Sequence, residues 1–312
     1  MFEVLFVSLA AAASAVYFFG LCAILVILAA TAGAVLTEWV TMGKGHGAGR
    51  LGTLRDGSAL LTGVLLALTL PPSIPLWIAF LGGVVAIGLG KAIWGGLGQN
   101  IFNPALVGRA FLQASFPTVI TTWTEPGQGF FQLPSSTLAW PLMKDTTVAI
   151  DVVATATPLG MAKFDKVITP AEPLLIGNVA GSLGETAGLL LLVCGIWLGV
   201  RRIFDWRLPV ATLVSVAVFG SILYFASHDY PNPVFMLCSG GLLFGTVFMV
   251  TDPVTTPVTP RGAWIFGIGV GLLVVLIRLF GGLPEGVMYS ILLMNAATPL
   301  INRYTQPRVF GG

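Results

Sequence analysis

The sequence predicts an all-α integral membrane protein of about ten transmembrane helices, arranged as two inverted five-helix repeats with a long extracytoplasmic loop between them. Three observations predict this fold. Of the 312 residues, 56% are hydrophobic and only 9% are charged, whereas a soluble domain carries roughly a quarter charged residues. Apolar stretches suited to membrane crossing follow one another along most of the chain. Short motifs of the first half recur in the same order in the second half.

The apolar stretches divide the chain into three parts. Residues 1–116 form the first transmembrane repeat, residues 117–173 the long loop, and residues 174–312 the second repeat with a short cytoplasmic tail. Gly and Pro interrupt several stretches, which is typical of broken or re-entrant helices that line a site. The predicted spans are residues 2–19, 21–41, 58–70, 74–93 and 102–116, and then residues 174–200, 208–226, 234–250, 263–280 and 286–301.

The first apolar stretch is predicted to be a transmembrane helix and not a signal peptide, because Glu3 stands where a signal peptide carries positive charge. The basic residues predict the orientation. If the spans alternate, one side of the membrane receives most of them, and the positive-inside rule makes that side cytoplasmic. The long loop then lies outside the cytoplasm. The basic residues on the cytoplasmic side are Lys44, Arg50, Arg55, Arg201, Arg202, Arg207, Arg261, Arg303 and Arg308.

The repeat rests on matched motifs. The segment 60–63 lines up with 242–245, and the Gly-Gly-Leu at 95–97 lines up with that at 281–283. Each half also has one helix break, at 69–72 and 251–253. Because each half has an odd number of predicted spans, the two halves must be inverted relative to each other. Such architectures hold the functional site between the repeats, near the breaks.

Residues 151–159 are the most informative part of the long loop. Small residues surround two hydroxyls, Thr155 and Thr157, and Asp151 opens the run. Pro158 fixes its own φ and biases Thr157 away from the helical region. Such a hydroxyl can be reached by a modifying enzyme. The local residues alone favour an ordinary Thr-rich surface loop.

Four charged residues are candidates for chemistry. Glu185 lies in a predicted span, where a carboxylate marks a functional site, or else at the membrane–water boundary. Asp252 follows a helix break and either caps it or coordinates a cation. Lys91 and Arg109 flank the Gly-rich segment 95–98 and either bind a phosphate or acidic lipid headgroup or extend to the interface.

Other classes of function are excluded. The net charge is +2 and the basic residues form no patch, which argues against nucleic acid. The two histidines and three cysteines lack ligand spacing, so no metal site is predicted. No motif of a soluble enzyme active site stands in a suitable context, so no catalytic residue is predicted. The residues alone therefore lead to a polytopic inverted-repeat membrane protein with a modifiable outer loop.

Jointly, seven stretches resemble one family, which includes the D subunit of the Rnf ion-translocating ferredoxin:NAD⁺ oxidoreductase complex and, more distantly, the B subunit of the sodium-pumping NADH:quinone reductase. The resemblance covers nearly the whole chain. It departs at the front, where members carry a short soluble segment before the first helix. The matching stretches are 54–63, 95–109, 151–159, 177–186, 251–255, 281–286 and 304–311.

The resemblance implies a covalent cofactor. In this family the loop motif carries FMN, joined by a phosphoester to its last Thr. Carried over, Asp151, Ala156 and Thr157 match the motif, with Thr157 as the flavinylated residue. Ala154 and Thr155 depart from the family's Ser-Gly, which leaves Thr155 as an alternative hydroxyl. The family's flavin transferase works outside the cytoplasm, which agrees with the orientation obtained from charge.

The resemblance also implies the function: a membrane flavoprotein subunit that relays electrons between ferredoxin and NAD and couples this to Na⁺ or H⁺ translocation. It suggests a second, non-covalent flavin, riboflavin. The segments 95–103 and 177–186 are the candidate flavin surroundings. The candidate binding residues there and nearby are Gly98, Asn100, Asn103, Arg109, Asn178, Ser182 and Glu185.

The implied setting is the cytoplasmic (inner) membrane of a prokaryote. The implied partners are the other membrane and iron–sulfur subunits of the complex, among them a second flavin-carrying subunit, together with the flavin transferase and membrane lipid. Two other hypotheses stay open. The inverted repeats alone favour a solute channel or secondary transporter without covalent flavin, and a mainly structural scaffold would not need Thr157.

Overall fold

The computed structural model describes residues 1–42, 55–127, 129–141, 156–227 and 230–307. Regular structure in these ranges is helical, and no β-strand occurs among them, so the all-α prediction is confirmed for this part of the chain. Asp151 and Thr155 lie outside the described residues, as do Lys44, Arg50 and Arg308.

The first half and the beginning of the predicted long loop contain six helices within the described ranges. The fourth continues directly into a π-helical turn, Gly88–Ala92. The sixth is a single turn. These helices are α1 Phe2–Phe19, α2 Leu21–Met42, α3 Ser58–Leu68, α4 Leu76–Ile87, α5 Pro104–Ser115 and α6 Pro117–Ile120.

The predicted long loop and the second half contain eight more in those ranges. The loop has a 3₁₀ turn at Ser135–Leu138, and a short helix followed by a π-helical turn, Met161–Asp165. The helices are α7 Pro158–Gly160, α8 Ala171–Ile176, α9 Gly188–Val200, α10 Arg207–Ala226, α11 Pro233–Cys238, α12 Leu242–Phe248, α13 Pro260–Phe280 and α14 Val287–Thr305.

Four helices, α1, α2, α10 and α13, are long and apolar enough to cross a membrane. Two predicted spans are wrong as continuous helices. The span 174–200 is split into α8 and α9, because Gly177 takes a φ of 105° and ends α8 there. The span 234–250 is split into α11 and α12, because Ser239 is extended and Gly240 has a φ of 63°. Both splits leave irregular backbone where the sequence predicts membrane depth.

Small residues allow the long helices to pack closely, as is usual between membrane helices. In the first half, α2 packs on α4. A Cβ on Gly83 would lie 2.1 Å from the carbonyl oxygen of Ala30, so this crossing requires glycine. In the second half, α10 packs on α13 in the same manner, with Gly267 against Ala211.

The two halves share one hydrophobic core. Leu66, Leu68 and Leu112 of the first half are fully buried in the same cluster as Phe244 and Phe266 of the second half. The halves also meet through α5 and α14 and through α1 and α9. The polar groups described below are therefore held between the halves by apolar packing on both sides.

Candidate functional site

Residues 157–159 line a pocket that we call the Thr157 pocket. Its wall is built from α5, the turn 157–159, the segment 179–186 and the start of α14. Parts of the chain that are far apart in sequence thus meet here. The lining residues used below are Arg109, Trp123, Thr157, Leu159, Gly181, Glu185, Thr186, Leu283, Glu285, Met288 and Tyr289.

Thr157 is half-buried at the start of α7. Its Oγ1 accepts a hydrogen bond from the backbone N–H of Gly160 at 3.1 Å, so the hydroxyl caps the turn. Its ψ of 154° is extended, as expected before Pro158. Ala156 before it is exposed, whereas Pro158 and Leu159 after it are buried. The hydroxyl therefore stands at the boundary between the outer surface and the pocket.

Arg109 and Glu185 face each other in the same pocket. Arg109 Nη1 lies 4.0 Å from Glu185 Oε1, and both side chains are about nine-tenths buried. The segment that carries Glu185 is fixed to the end of α3, since the Gly184 N–H donates to the carbonyl oxygen of Leu68 at 2.6 Å. The motif at 177–186 thus lies against the first predicted helix break, and Glu185 is buried inside the fold.

Several polar atoms around this pocket are buried without a hydrogen-bond partner among the described residues. They are Arg109 Nε, Ser182 Oγ and Thr186 Oγ1. Burying an unpaired polar group costs about 1–3 kcal/mol, so native structures rarely retain several together unless a ligand or water satisfies them. The three atoms therefore indicate that the pocket takes a polar group.

A second arginine–glutamate pair lies beside the pocket, which Glu285 lines. Arg278 is buried, donates to the carbonyl oxygens of Met236 and Ser239, and pairs with Glu285 at 3.3 Å. Glu285 also accepts the Gly241 N–H at 3.0 Å. Neither member was predicted from the sequence. A charged residue inside the predicted span 263–280 is the signal that identifies Arg278.

A separate pocket, the Asp252 pocket, lies against the second helix break. Asn103 caps the start of α5, where its Oδ1 accepts the Ala105 N–H at 3.0 Å. Asp252 accepts the Val254 N–H at 3.2 Å and the Thr255 hydroxyl at 3.3 Å, so it stabilises a turn between α12 and α13 and does not cap a helix. The Asn103 amide approaches Asp252 at 3.5 Å. The lining residues used below are Ser58, Leu61, Lys91, Leu97, Asn100, Asn103, Phe248 and Asp252.

Lys91 lies in the wall of the Asp252 pocket but is committed to other partners. Its ammonium donates to Glu38 Oε1 at 2.9 Å and to Ser58 Oγ at 2.5 Å. Both charged side chains are almost fully buried. Ser58 Oγ in turn donates to Asp56 at 2.6 Å. The interpretation of Lys91 as a side chain extending to the interface is therefore wrong, because the residue is buried and its charge is paired with Glu38 within the fold.

The structure divides the predicted binding residues between the two pockets. Arg109 and Glu185 join Thr157 in one, and Asn100 and Asn103 line the other. Ser182 is buried behind Glu185, and its N–H donates to the Glu185 carboxylate at 3.4 Å. Gly98 and Asn178 are exposed and line neither pocket. The two Gly-rich segments thus belong to two separate sites and not to one.

The fold and its two pockets define a class: a multi-pass helical membrane protein with charged and amide side chains buried between two halves. Comparison with known proteins gives the particular family. The chain matches the NQR2, RnfD, RnfE family over residues 1–311. It therefore belongs to this family, and the prediction made from its motifs is confirmed.

Curated relatives are similar over almost their whole length. The chain is 40% identical to the D subunit of the proton-translocating ferredoxin:NAD(+) oxidoreductase complex of Clostridium ljungdahlii, over 96% of this chain and 88% of the relative. It is 39% identical to the D subunit of the Na(+)-translocating ferredoxin:NAD(+) oxidoreductase complex of Acetobacterium woodii, over 100% of this chain and 90% of the relative. Both relatives are named as subunits of oxidoreductase complexes, one proton-translocating and the other Na⁺-translocating.

Proposed function

We propose that this chain is the membrane flavoprotein subunit of an ion-translocating ferredoxin:NAD⁺ oxidoreductase complex, with FMN joined by a phosphoester to Thr157. The observation that carries the proposal is the meeting of Thr157 with Arg109 and Glu185 in one pocket. The motif at 151–159 and the motif at 177–186 are separate stretches of the sequence, yet residues 157–159 of the first and residues 179–186 of the second meet at this pocket.

The residues of the Thr157 pocket fit FMN. A phosphodiester is anionic, and Arg109 offers a guanidinium whose Nε has no partner among the described residues and whose pairing with Glu185 is long, at 4.0 Å. Arg is well suited to phosphate because its planar donors match the phosphate oxygens. Trp123, Leu159, Met288 and Tyr289 supply apolar and aromatic surface for the ring system.

The chain's own contribution is positioning, charge and shielding. Bound FMN supplies one-electron and two-electron transfer, chemistry that side chains do not provide. Arg109 and Arg278 are each matched by a glutamate, so the pocket is close to neutral before an anion enters. Leu159 and Leu174, both buried beside Thr157, keep water away from the inner wall.

The Asp252 pocket supports the second, non-covalent flavin. Asn100 and Asn103 offer amide groups, while Leu61 and Phe248 offer apolar surface. The cation at this pocket, Lys91, is already paired with Glu38. An uncharged flavin such as riboflavin, which lacks a phosphate, therefore suits this pocket better than FMN does.

The arrangement of α5 and α14 supports an inverted repeat. Helix α5 begins at the Asp252 pocket with Asn103 and reaches the Thr157 pocket with Arg109. Helix α14 begins at the Thr157 pocket with Met288, and farther along Thr298 donates to the carbonyl oxygen of Thr255, beside Asp252. The two helices thus run between the same pockets in opposite directions, and the matched residues Leu97 and Leu283 line one pocket each.

The same arrangement supports the proposed orientation. The Asp252 pocket collects segments that the basic residues assign to the cytoplasmic side, including Met1 and Phe204. The Thr157 pocket collects the ends assigned to the outer side, where a flavin transferase would act. The chain would sit in the cytoplasmic membrane with the other subunits of the complex, and the translocated ion is Na⁺ or H⁺.

The test is flavin fluorescence of the denatured full-length protein in a gel, after production with the flavin transferase. We expect a fluorescent wild-type band, no fluorescence in Thr157→Ala, and an unchanged signal in Thr155→Ala. If only Thr155→Ala lost the signal, attachment would be at the alternative hydroxyl. A folded wild-type protein without fluorescence would overturn the proposal and favour the transporter hypothesis, which requires no covalent flavin.

A further inference from the structure

Lys163 attaches the turn that carries Thr157 to the body of the protein. It follows Thr157 closely in sequence, in the π-helical turn Met161–Asp165. Its ammonium donates hydrogen bonds to the backbone carbonyl oxygens of Arg278 at 2.9 Å, Leu283 at 3.0 Å and Gly281, with that of Ile277 farther away at 3.5 Å. A lysine ammonium has three donors, and each of the three has an acceptor here.

The acceptors lie at the C-terminal end of α13 and directly after it. The last carbonyl groups of a helix have no partner within it, and a cation there is favourable. Lys163 supplies this cation to the C-terminal end of α13, 115 residues farther along the chain. Burial among these carbonyl groups lowers the pKa of the Lys163 amine. The contact is therefore a specific cap and not a free surface charge.

The helix end that Lys163 caps is part of the wall of the Thr157 pocket. The carbonyl oxygen of Arg278 accepts a hydrogen bond from the Lys163 ammonium, and the Arg278 guanidinium donates one to the Glu285 carboxylate. Leu283 and Glu285 line the pocket directly. On the other side of the turn, Leu159 packs into a small buried cluster with Leu174 and Phe235. The turn is thus held by an apolar contact next to Thr157 and by a polar contact at Lys163.

We infer that Lys163 is a positioning residue, which fixes the orientation of the group carried by Thr157 relative to the pocket wall. This inference rests on the proposed function, because Lys163 can orient a flavin only if Thr157 carries one. The apolar contact of Leu159 holds the turn against the cluster, but it is non-directional and so does not by itself set the orientation of the turn. The three directed hydrogen bonds of Lys163 set the rotation, since a hydrogen bond weakens steeply when misaligned.

The test uses the purified complex and three variants. Lys163→Met keeps the length of the side chain without donors, and Lys163→Arg restores donors. Lys166→Met is the matched control, since Lys166 lies in the same turn region but is exposed. The quantity measured is the rate of electron transfer through the complex divided by its content of covalent flavin, which is obtained from in-gel fluorescence.

We expect Lys163→Met to lower the rate per covalent flavin about tenfold, because misplacement by about 1 Å already slows a positioned reaction strongly. Lys163→Arg should restore most of the rate, and Lys166→Met should match wild type. An unchanged rate per flavin in Lys163→Met would overturn the inference, including the case in which flavin content alone falls. Absence of covalent flavin from the wild-type complex would instead contradict the proposed function.

Discussion

The two pockets hold their cations in opposite ways. In the Asp252 pocket, Lys91 lies 2.9 Å from Glu38 and also contacts Ser58, so its charge is closely paired inside the fold, while Glu38 Oε2 has no partner among the described residues. In the Thr157 pocket, Arg109 lies 4.0 Å from Glu185 and keeps an Nε without a partner among the described residues. The comparison teaches that a buried charge stabilises the fold when its ion pair is close, and is available to a ligand when the pair is long.

The largest effect on folding is expected from breaking the tight pair. Lys91→Met should lower the free energy of unfolding by about 3–5 kcal/mol, because Glu38 would be left as a buried carboxylate without its cation. Thermal unfolding in detergent, followed by tryptophan fluorescence, measures the loss. The double variant Lys91→Met with Glu38→Leu should recover most of the stability, since replacing both charges by apolar groups removes the unpaired one.

An intermediate effect is expected from the loose pair. Arg109→Met should lower the free energy of unfolding by about 2 kcal/mol, less than for a close buried pair, because the two charged groups are 4.0 Å apart and make no hydrogen bond, while covalent flavin content falls. The reason is that Arg109 contributes less to the fold than Lys91 but faces the bound group. The two variants are compared by unfolding and by in-gel fluorescence on the same preparations. A loss of stability as large as that of Lys91→Met, with flavin content unchanged, would reverse the contrast between the pockets.

The smallest effect is expected at Asn103, which caps α5 at the Asp252 pocket. Asn103→Ala should lower the free energy of unfolding by about 1 kcal/mol through loss of the cap, and should lower the content of non-covalent flavin extracted from the folded protein. Asn103→Ser keeps a capping oxygen but not the amide, so it separates the two effects. If Asn103→Ser retained the extractable flavin, the amide would have no role in binding.

Much of the fold was predictable because a helix that crosses a membrane needs a long apolar stretch, which is visible in the sequence. The boundaries of α1, α2, α10 and α13 follow the predicted spans closely. The splits at Gly177 and Gly240 were not predicted, because an apolar run reads alike whether it is one helix or two. Only the positive φ at these glycines distinguishes the two cases.

The candidate site was predictable in part. The motif at 151–159 identified Thr157, and an acidic residue at predicted membrane depth identified Glu185. Arg278 and Lys163 were missed. Lys163 is an ordinary charged residue in a polar loop. Its partners are backbone carbonyl oxygens, which every residue carries, so no residue type in the sequence indicates the contact.

The sequence by itself determined the helical membrane class, the family, and the hydroxyl proposed to carry the flavin, because composition, apolar length and a contiguous motif are all local properties of a chain. The tertiary structure alone decided which charges are used internally and which remain available. Lys91 meets Glu38 across 53 residues, and Lys163 meets the end of α13 across 115. Such pairings depend on how distant helices pack. Residue type alone does not predict them, since an arginine and a glutamate form the close pair Arg278–Glu285 and also the long pair Arg109–Glu185.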